Sequence, residues 1–192
     1  LFATLIIGTM IQQIGLLIGG STGNVIYLLG KAAAALTSAG IGVGVAVKYG
    51  ESPLVTVSAA VAAMVGGYAG KITGGTFFVD GNAVLAGPGE PLGAFIAAFA
   101  GITCGHLVSG KTKVDIIVTP VITIGAGSVV GLLVGPPISQ MMTGLGSIIN
   151  WATEQRPFIM GIVVSVVMGM VLTLPISSAA LGIILNLSGL AA

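Results

Sequence analysis

Six basic and five acidic residues are all the formal charge in this chain, and between them lie uncharged runs at residues 1–30, 32–47, 52–70, 91–110, 116–153 and 157–192. Those runs constrain the fold more than any other feature. A soluble domain keeps about a quarter of its residues charged so that water can cover its surface. Here only 6% are charged, 55% are hydrophobic and the mean hydropathy is +1.15. The solvent must be a lipid bilayer, and the chain reads as an all-α integral membrane protein, because a helix satisfies its own backbone where water is missing. One helical crossing takes roughly 20 residues. Runs 52–70 and 91–110 each fit one, and run 32–47 is extended by the stems of Lys31 and Lys48 reaching to the interface. The spacing as a whole predicts about six crossings, plus re-entrant or broken segments.

Glycine supplies the packing signal. There are 32 of them, and small residues let helix backbones approach closely in lipid, where no hydrophobic drive holds helices together. G-x-x-x-G pairs stand at Gly66/Gly70 and Gly101/Gly105, while Gly127, Gly131 and Gly135 share one helix face. Punctuation is equally visible. Residues 19–24 (GGSTGN) read as a turn whose Ser21, Thr22 and Asn24 cap the next helix. Glu51 and Ser52 precede Pro53 at a helix start. Gly135-Pro136-Pro137 is expected to stop a helix, and Pro175 to interrupt the last apolar run. Gln12 and Gln13, in mid-run, need partners on a neighbouring helix or in a cavity. Residues 138–156 read as amphipathic or partly inserted, with Trp151 near Glu154 and Arg156 at headgroup level.

Several function classes drop out. The net charge is +1, which gives no basic stripe for nucleic acid. A lone Cys104 excludes an internal disulfide and a cysteine metal cage, and reads as a small apolar filler. No Ser-His-Asp spacing, H-E-x-x-H or phosphate-binding glycine loop is present, so neither catalytic residues, a metal nor a cofactor is expected. Starting at Leu1 and ending in LSGLAA, the chain reads as a piece of a longer membrane domain, without a cleavable signal pattern. Its basic residues divide evenly between alternate loops, so orientation does not come out.

Residues 71–93, KITGGTFFVDGNAVLAGPGEPLG, are neither a plain span nor a short turn. They read as a re-entrant hairpin or substrate loop. Glu90 sits in G-P-G-E-P-L-G, where Pro88 and Pro91 bias the backbone away from helix. At the start of a span it either accepts hydrogen bonds from a polyhydroxyl solute or caps the helix. Asp80, in V-D-G-N-A with Asn82, is a turn residue by type. His106 lies sixteen residues beyond Glu90, about 24 Å along a helix, and suits a helix C-terminus. Asp115 beside Lys111 and Lys113 suggests an interfacial ion pair.

The segments GPGEPLGAFIAAFAG (87–101), GKTKVDIIVTPVITIGAGSVVG (110–131) and GPPISQMMTGLG (135–146) resemble the membrane permease component, IIC, of the bacterial sugar phosphotransferase system. More narrowly, they resemble the branch that includes regulators of the perfringolysin O type. The resemblance implies a homodimeric, multi-pass carrier of the bacterial inner membrane. It would hold a sugar or other small polar solute in a cavity built partly from re-entrant hairpins, and cytoplasmic IIA and IIB partners would phosphorylate it. Sugar-transporting relatives carry a G-x-T-E-P loop whose glutamate binds sugar hydroxyls. Gly87, Glu90 and Pro91 match it, and Gly89 stands in place of the Thr. On this reading Glu90 anchors the solute, with Asp80, Asn82 and His106 as helpers. The alternatives are an IIC-like membrane sensor or regulator without transport, and a structural membrane subunit.

Overall fold

The computed structural model describes residues 2–79, 82–85, 87–153 and 157–172. A π-helical turn, Phe2–Ile6, leads into α1 (Ile7–Ile18), followed by α2 (Gly20–Ala35), α3 (Thr37–Lys48) and α4 (Pro53–Thr73). Two short strands come next, β1 (Phe78–Val79) and β2 (Asn82–Ala83), then α5 (Pro91–Val108), α6 (Asp115–Thr153) and α7 (Pro157–Leu172). The chain divides into two compact units, Leu1–Ile138 and Ser139–Ala192.

Three helices among the described residues are long and apolar enough to cross a membrane: Pro53–Thr73, Pro91–Val108 and Asp115–Ala152. The pair Gly20–Ala35 and Thr37–Lys48, bent by 45°, makes a fourth if taken as one broken span. Ala3–Ile18 and Gly161–Met170 are apolar but shorter. This is the all-α membrane architecture expected, including its broken segments. The crossing count stands at three to four among the described residues, against about six expected. Pro175 and the last apolar run lie outside the described residues.

Local detail departs from expectation at four places. The reversal between α1 and α2 is made by Gly19 and Gly20 alone, with φ of 66° and 63°, conformations that only a residue without Cβ adopts freely. Ser21, Thr22 and Asn24 therefore belong to α2, which has no side-chain cap bond. The tight reversal lets α1 and α2 touch backbone to backbone; a Cβ on Gly30 would stand 2.6 Å from the Gly8 carbonyl oxygen. Gln12 donates to Gly8 O of its own helix at 3.4 Å, not to a neighbouring helix. The 32–47 run is not one straight span but turns at Leu36, between α2 and α3. Lastly, α6 continues through Pro136 and Pro137. Each interior proline removes one intrahelical hydrogen bond and crowds the preceding turn, at about 3 kcal/mol, a cost that α6 carries here.

In the first unit α3, α4 and α5 pack around Ala46, Val55, Ala59, Ala63, Ala94, Ala98 and Ile102, all buried. Alanine at five of these seven positions explains how closely these helices lie. At its start α4 is fixed as expected: Pro53 opens it, and the Ser52 hydroxyl accepts from Val55 N at 3.4 Å. The glycine face of α6 fits into the α4–α5 pair. A Cβ on Gly127 would stand 2.7 Å from Ala97 O, and one on Gly131 2.8 Å from Gly66 Cα. In the second unit Met142, Ile149, Ala152 and Val167 are buried, and Trp151 is exposed.

Candidate functional site

The stretch 71–93 resolves into two parts. After α4 the chain turns at Gly75 (φ 71°) and forms a two-stranded antiparallel hairpin, with Phe78 opposite Ala83 and Val79 opposite Asn82. Val84 N closes it onto Phe77 O at 2.7 Å. Asn82 is exposed on this hairpin, and Asp80 lies outside the described residues. The part that follows is docked against helices. Pro88 is buried, and Gly87 and Gly89 take φ of 77° and 73°.

Three contacts hold that loop. Ser38 Oγ donates to Pro88 O at 2.9 Å. The Tyr68 hydroxyl donates to Gly87 O and also lies 3.2 Å from Ala35 O. Glu90 N donates to Gly67 O at 2.7 Å. The loop therefore sits where the α2–α3 break, the C-terminal part of α4 and the start of α5 meet. Gly89 fills the narrowest point. A Cβ there would lie 2.5 Å from Ser38 Oγ and 3.0 Å from Gly67 O, so a side chain such as threonine has no room.

Glu90 occupies the cap position of α5, and its carbonyl accepts from Ala94 N at 2.9 Å. Its side chain makes no cap hydrogen bond. Instead Oε2 is buried without a hydrogen-bond partner among the described residues. Burial pushes this carboxyl group, just ahead of the span opening at Pro91, up to about 7, because an ionised carboxylate loses hydration there. The folded chain holds a proton that the unfolded chain has released above the ordinary 4.5. This contribution to stability is greatest below that pH and declines as pH rises through 7.

His106 is elsewhere. It sits near the other end of α5, with Nδ1 3.0 Å from Glu51 Oε1, and the neighbouring Ser52 and Ser109 hydroxyls are 3.2 Å apart. The pair ties the start of α4 to the end of α5. The structure thus joins the 87–90 loop to Ser38, Gly67 and Tyr68 and does not bring His106 to Glu90. Asp115 accepts from Gly110 N at 2.9 Å and Thr119 Oγ1 at 2.6 Å. It closes the α5–α6 turn; no ion pair with Lys111 or Lys113 is present among the described residues. Sequence reasoning missed Ser38 and Tyr68. Their only signal was a polar group in an otherwise small, apolar run, A-A-A-A-L-T-S-A-G and G-G-Y-A-G.

Compared with known protein families, residues 1–192 match the family described as Phosphotransferase system, EIIC. The chain belongs to that family. It is thus an EIIC-type membrane component of the phosphotransferase system, and its long apolar helices agree with that placement. Searches of curated proteins and of solved structures return no match. The Glu90-Pro91 pair of this chain follows directly on Gly89, whose position between Ser38 Oγ and Gly67 O leaves no room for a Cβ.

Proposed function

We propose that this EIIC chain is a permease that binds a sugar-like, polyhydroxyl solute at Glu90 and moves it across the bacterial inner membrane for phosphorylation by IIA and IIB partners. The observation that carries the reading is the Glu90 Oε2 atom, buried and without a partner among the described residues. A buried acceptor left unpaired costs about 1–3 kcal/mol, and hydroxyl donors on a solute would relieve that cost on entry. A carboxylate accepts from two hydroxyls at once, and such charge-assisted bonds are about twice as strong as neutral ones. The rigid Gly-Pro-Gly backbone holds the group in place beforehand, so binding need not order it. IIA and IIB would supply the phosphoryl chemistry, which is why the chain needs no nucleophile of its own.

Replacing Glu90 with glutamine keeps the shape but puts an N–H₂ donor where an acceptor is needed. Affinity is expected to fall roughly 10- to 150-fold, from the loss of about 1.5–3 kcal/mol for a hydrogen bond to a charged group. Binding of a panel of tritiated hexoses and disaccharides to purified parent and Glu90→Gln proteins measures this. Equal binding by both proteins would favour a sensor or scaffold that keeps the EIIC fold without transport.

A further inference from the structure

Two buried hydroxyls have no part in the solute chemistry above, and both end on carbonyl groups of one loop. Ser38, fully buried, reaches across 50 residues of sequence to Pro88 O. Tyr68, 1% exposed, reaches 19 residues to Gly87 O. Neither carbonyl belongs to a helix or strand ladder, so without these donors both would need another partner. We infer that Tyr68 and Ser38 are positioning residues whose hydroxyls pin the 87–90 loop to the α2–α3 break and thereby set where the Glu90 carboxylate stands.

The geometry goes further for Tyr68. Its hydroxyl has a single proton and two carbonyl oxygens in reach, Gly87 O on the loop and Ala35 O at the break. Ala35 immediately precedes the bend, where helical pairing is interrupted at Leu36. If the loop lifts, the Tyr68 hydroxyl directs its hydrogen bond to Ala35 O and no donor is stranded. At the Tyr68 contact, release then costs less than a full buried hydrogen bond. The ring itself is held still, with Phe77 at 5.6 Å between centroids and the Lys71 ammonium 5.5 Å from its centre. Tyr68 is therefore a fixed post against which the loop docks and from which it detaches. Among the described residues, the ionisable groups at these contacts are Tyr68 and Lys71 of α4 and Glu90 itself; the α2–α3 break contributes the Ser38 hydroxyl. Burial is the cause of Glu90's raised protonation, so the protonation of Glu90 reports whether the loop is docked.

The link to transport rests on Glu90 being the solute anchor; the pinning itself does not. The test uses the whole chain in detergent micelles and the hydrophobic reagent dicyclohexylcarbodiimide, which attacks protonated carboxyl groups. Labelling at Glu90 is read by mass spectrometry across pH. The parent should lose labelling with a midpoint near 7. Tyr68→Phe, which keeps the ring, and Ser38→Ala should each bring the midpoint down by about one pH unit or more toward the solvated value. A role in general stability alone would lower the unfolding temperature and leave that midpoint in place. Profiles that superimpose on the parent overturn the inference, as does a parent midpoint near 4.5. Should Tyr68→Phe not fold, Ser38→Ala decides alone. Shifted midpoints with undiminished solute binding by Glu90→Gln leave the pinning standing and remove the permease reading. The reverse pattern removes the pinning and keeps the permease.

Discussion

A leucine in place of Gly66 is expected to prevent the α4–α5–α6 contact from forming at all. A Cβ at this position would run into Ala97 Cβ and lie 2.5 Å from Gly93 O on α5. From the other side, α6 places Gly131 so that its own Cβ position is only 2.8 Å from Gly66 Cα, and Gly135 comes within 3.1 Å of Gly66 O in the same sense. These neighbours are backbone atoms and an alanine methyl, none of which can rotate away. Overpacking costs typically about 1–3 kcal/mol where side chains can adjust, and more where backbone must move. Two helices would have to move here, so a loss above about 3 kcal/mol is expected. Cys104, the single cysteine of the chain and a residue of α5, gives the readout. Its reaction with a thiol dye on heating should begin at a much lower temperature in Gly66→Leu. Gly125 is the control, because a Cβ there meets nothing within 4 Å; Gly125→Leu should behave as the parent. Equal unfolding temperatures for Gly66→Leu and the parent would show that the three-helix contact is not what holds this unit together.

The second large effect is expected at Gly89, and it should fall on the site rather than the fold. An alanine there meets two penalties. Its φ of 73° costs a residue with a Cβ about 1–2 kcal/mol, and the Cβ would stand 2.5 Å from Ser38 Oγ, adding about 1–3 kcal/mol. Together these come to about 2–5 kcal/mol, enough to match or outweigh the three hydrogen bonds that seat the loop, at about 1 kcal/mol each, so the loop should leave its seat while α4 and α5 stay packed. Solute affinity is expected to fall roughly 30-fold or more, with the Glu90 labelling midpoint moving down in parallel. Gly87 separates the two penalties. Its φ is 77°, but a Cβ there meets nothing within 4 Å, so Gly87→Ala should show the smaller, conformational part only. Parent-like affinity in Gly89→Ala would mean the loop does not need to dock.

The physics behind these two predictions differs in how far it could be read without coordinates. The glycine faces were legible. Spacing of four on a helix places residues on one side, and Gly101, Gly127, Gly131 and Gly135 all meet a neighbouring helix where that spacing puts them. Glu90 was legible as well, as a carboxylate on a non-helical, proline-flanked segment ahead of a span. Its partners were not. His106 was the tempting companion because it follows on the same helix, yet one unbroken helix keeps the two apart and leaves His106 to Glu51, 55 residues away. The proline pair at 136–137 misled for a different reason: proline disfavours a helix interior without forbidding it, and the packing of Gly131 and Gly135 against α4 just before the pair is not visible along the chain.

What the sequence by itself determined is the solvent and the class of element: long uncharged runs can persist only as helices in a bilayer, and Ser52-Pro53 and Pro91 mark where two of them begin. Such features depend on a residue and its near neighbours along the chain, so they survive without any knowledge of tertiary contacts. Tertiary structure alone decided the bend at Leu36, the one-step reversal at Gly19, and the meeting of Ser38 and Tyr68 with the Glu90 loop. Each of those depends on which small-residue faces come together in space. Dozens of glycines and alanines offer nearly equivalent faces, so only the packed chain selects among them.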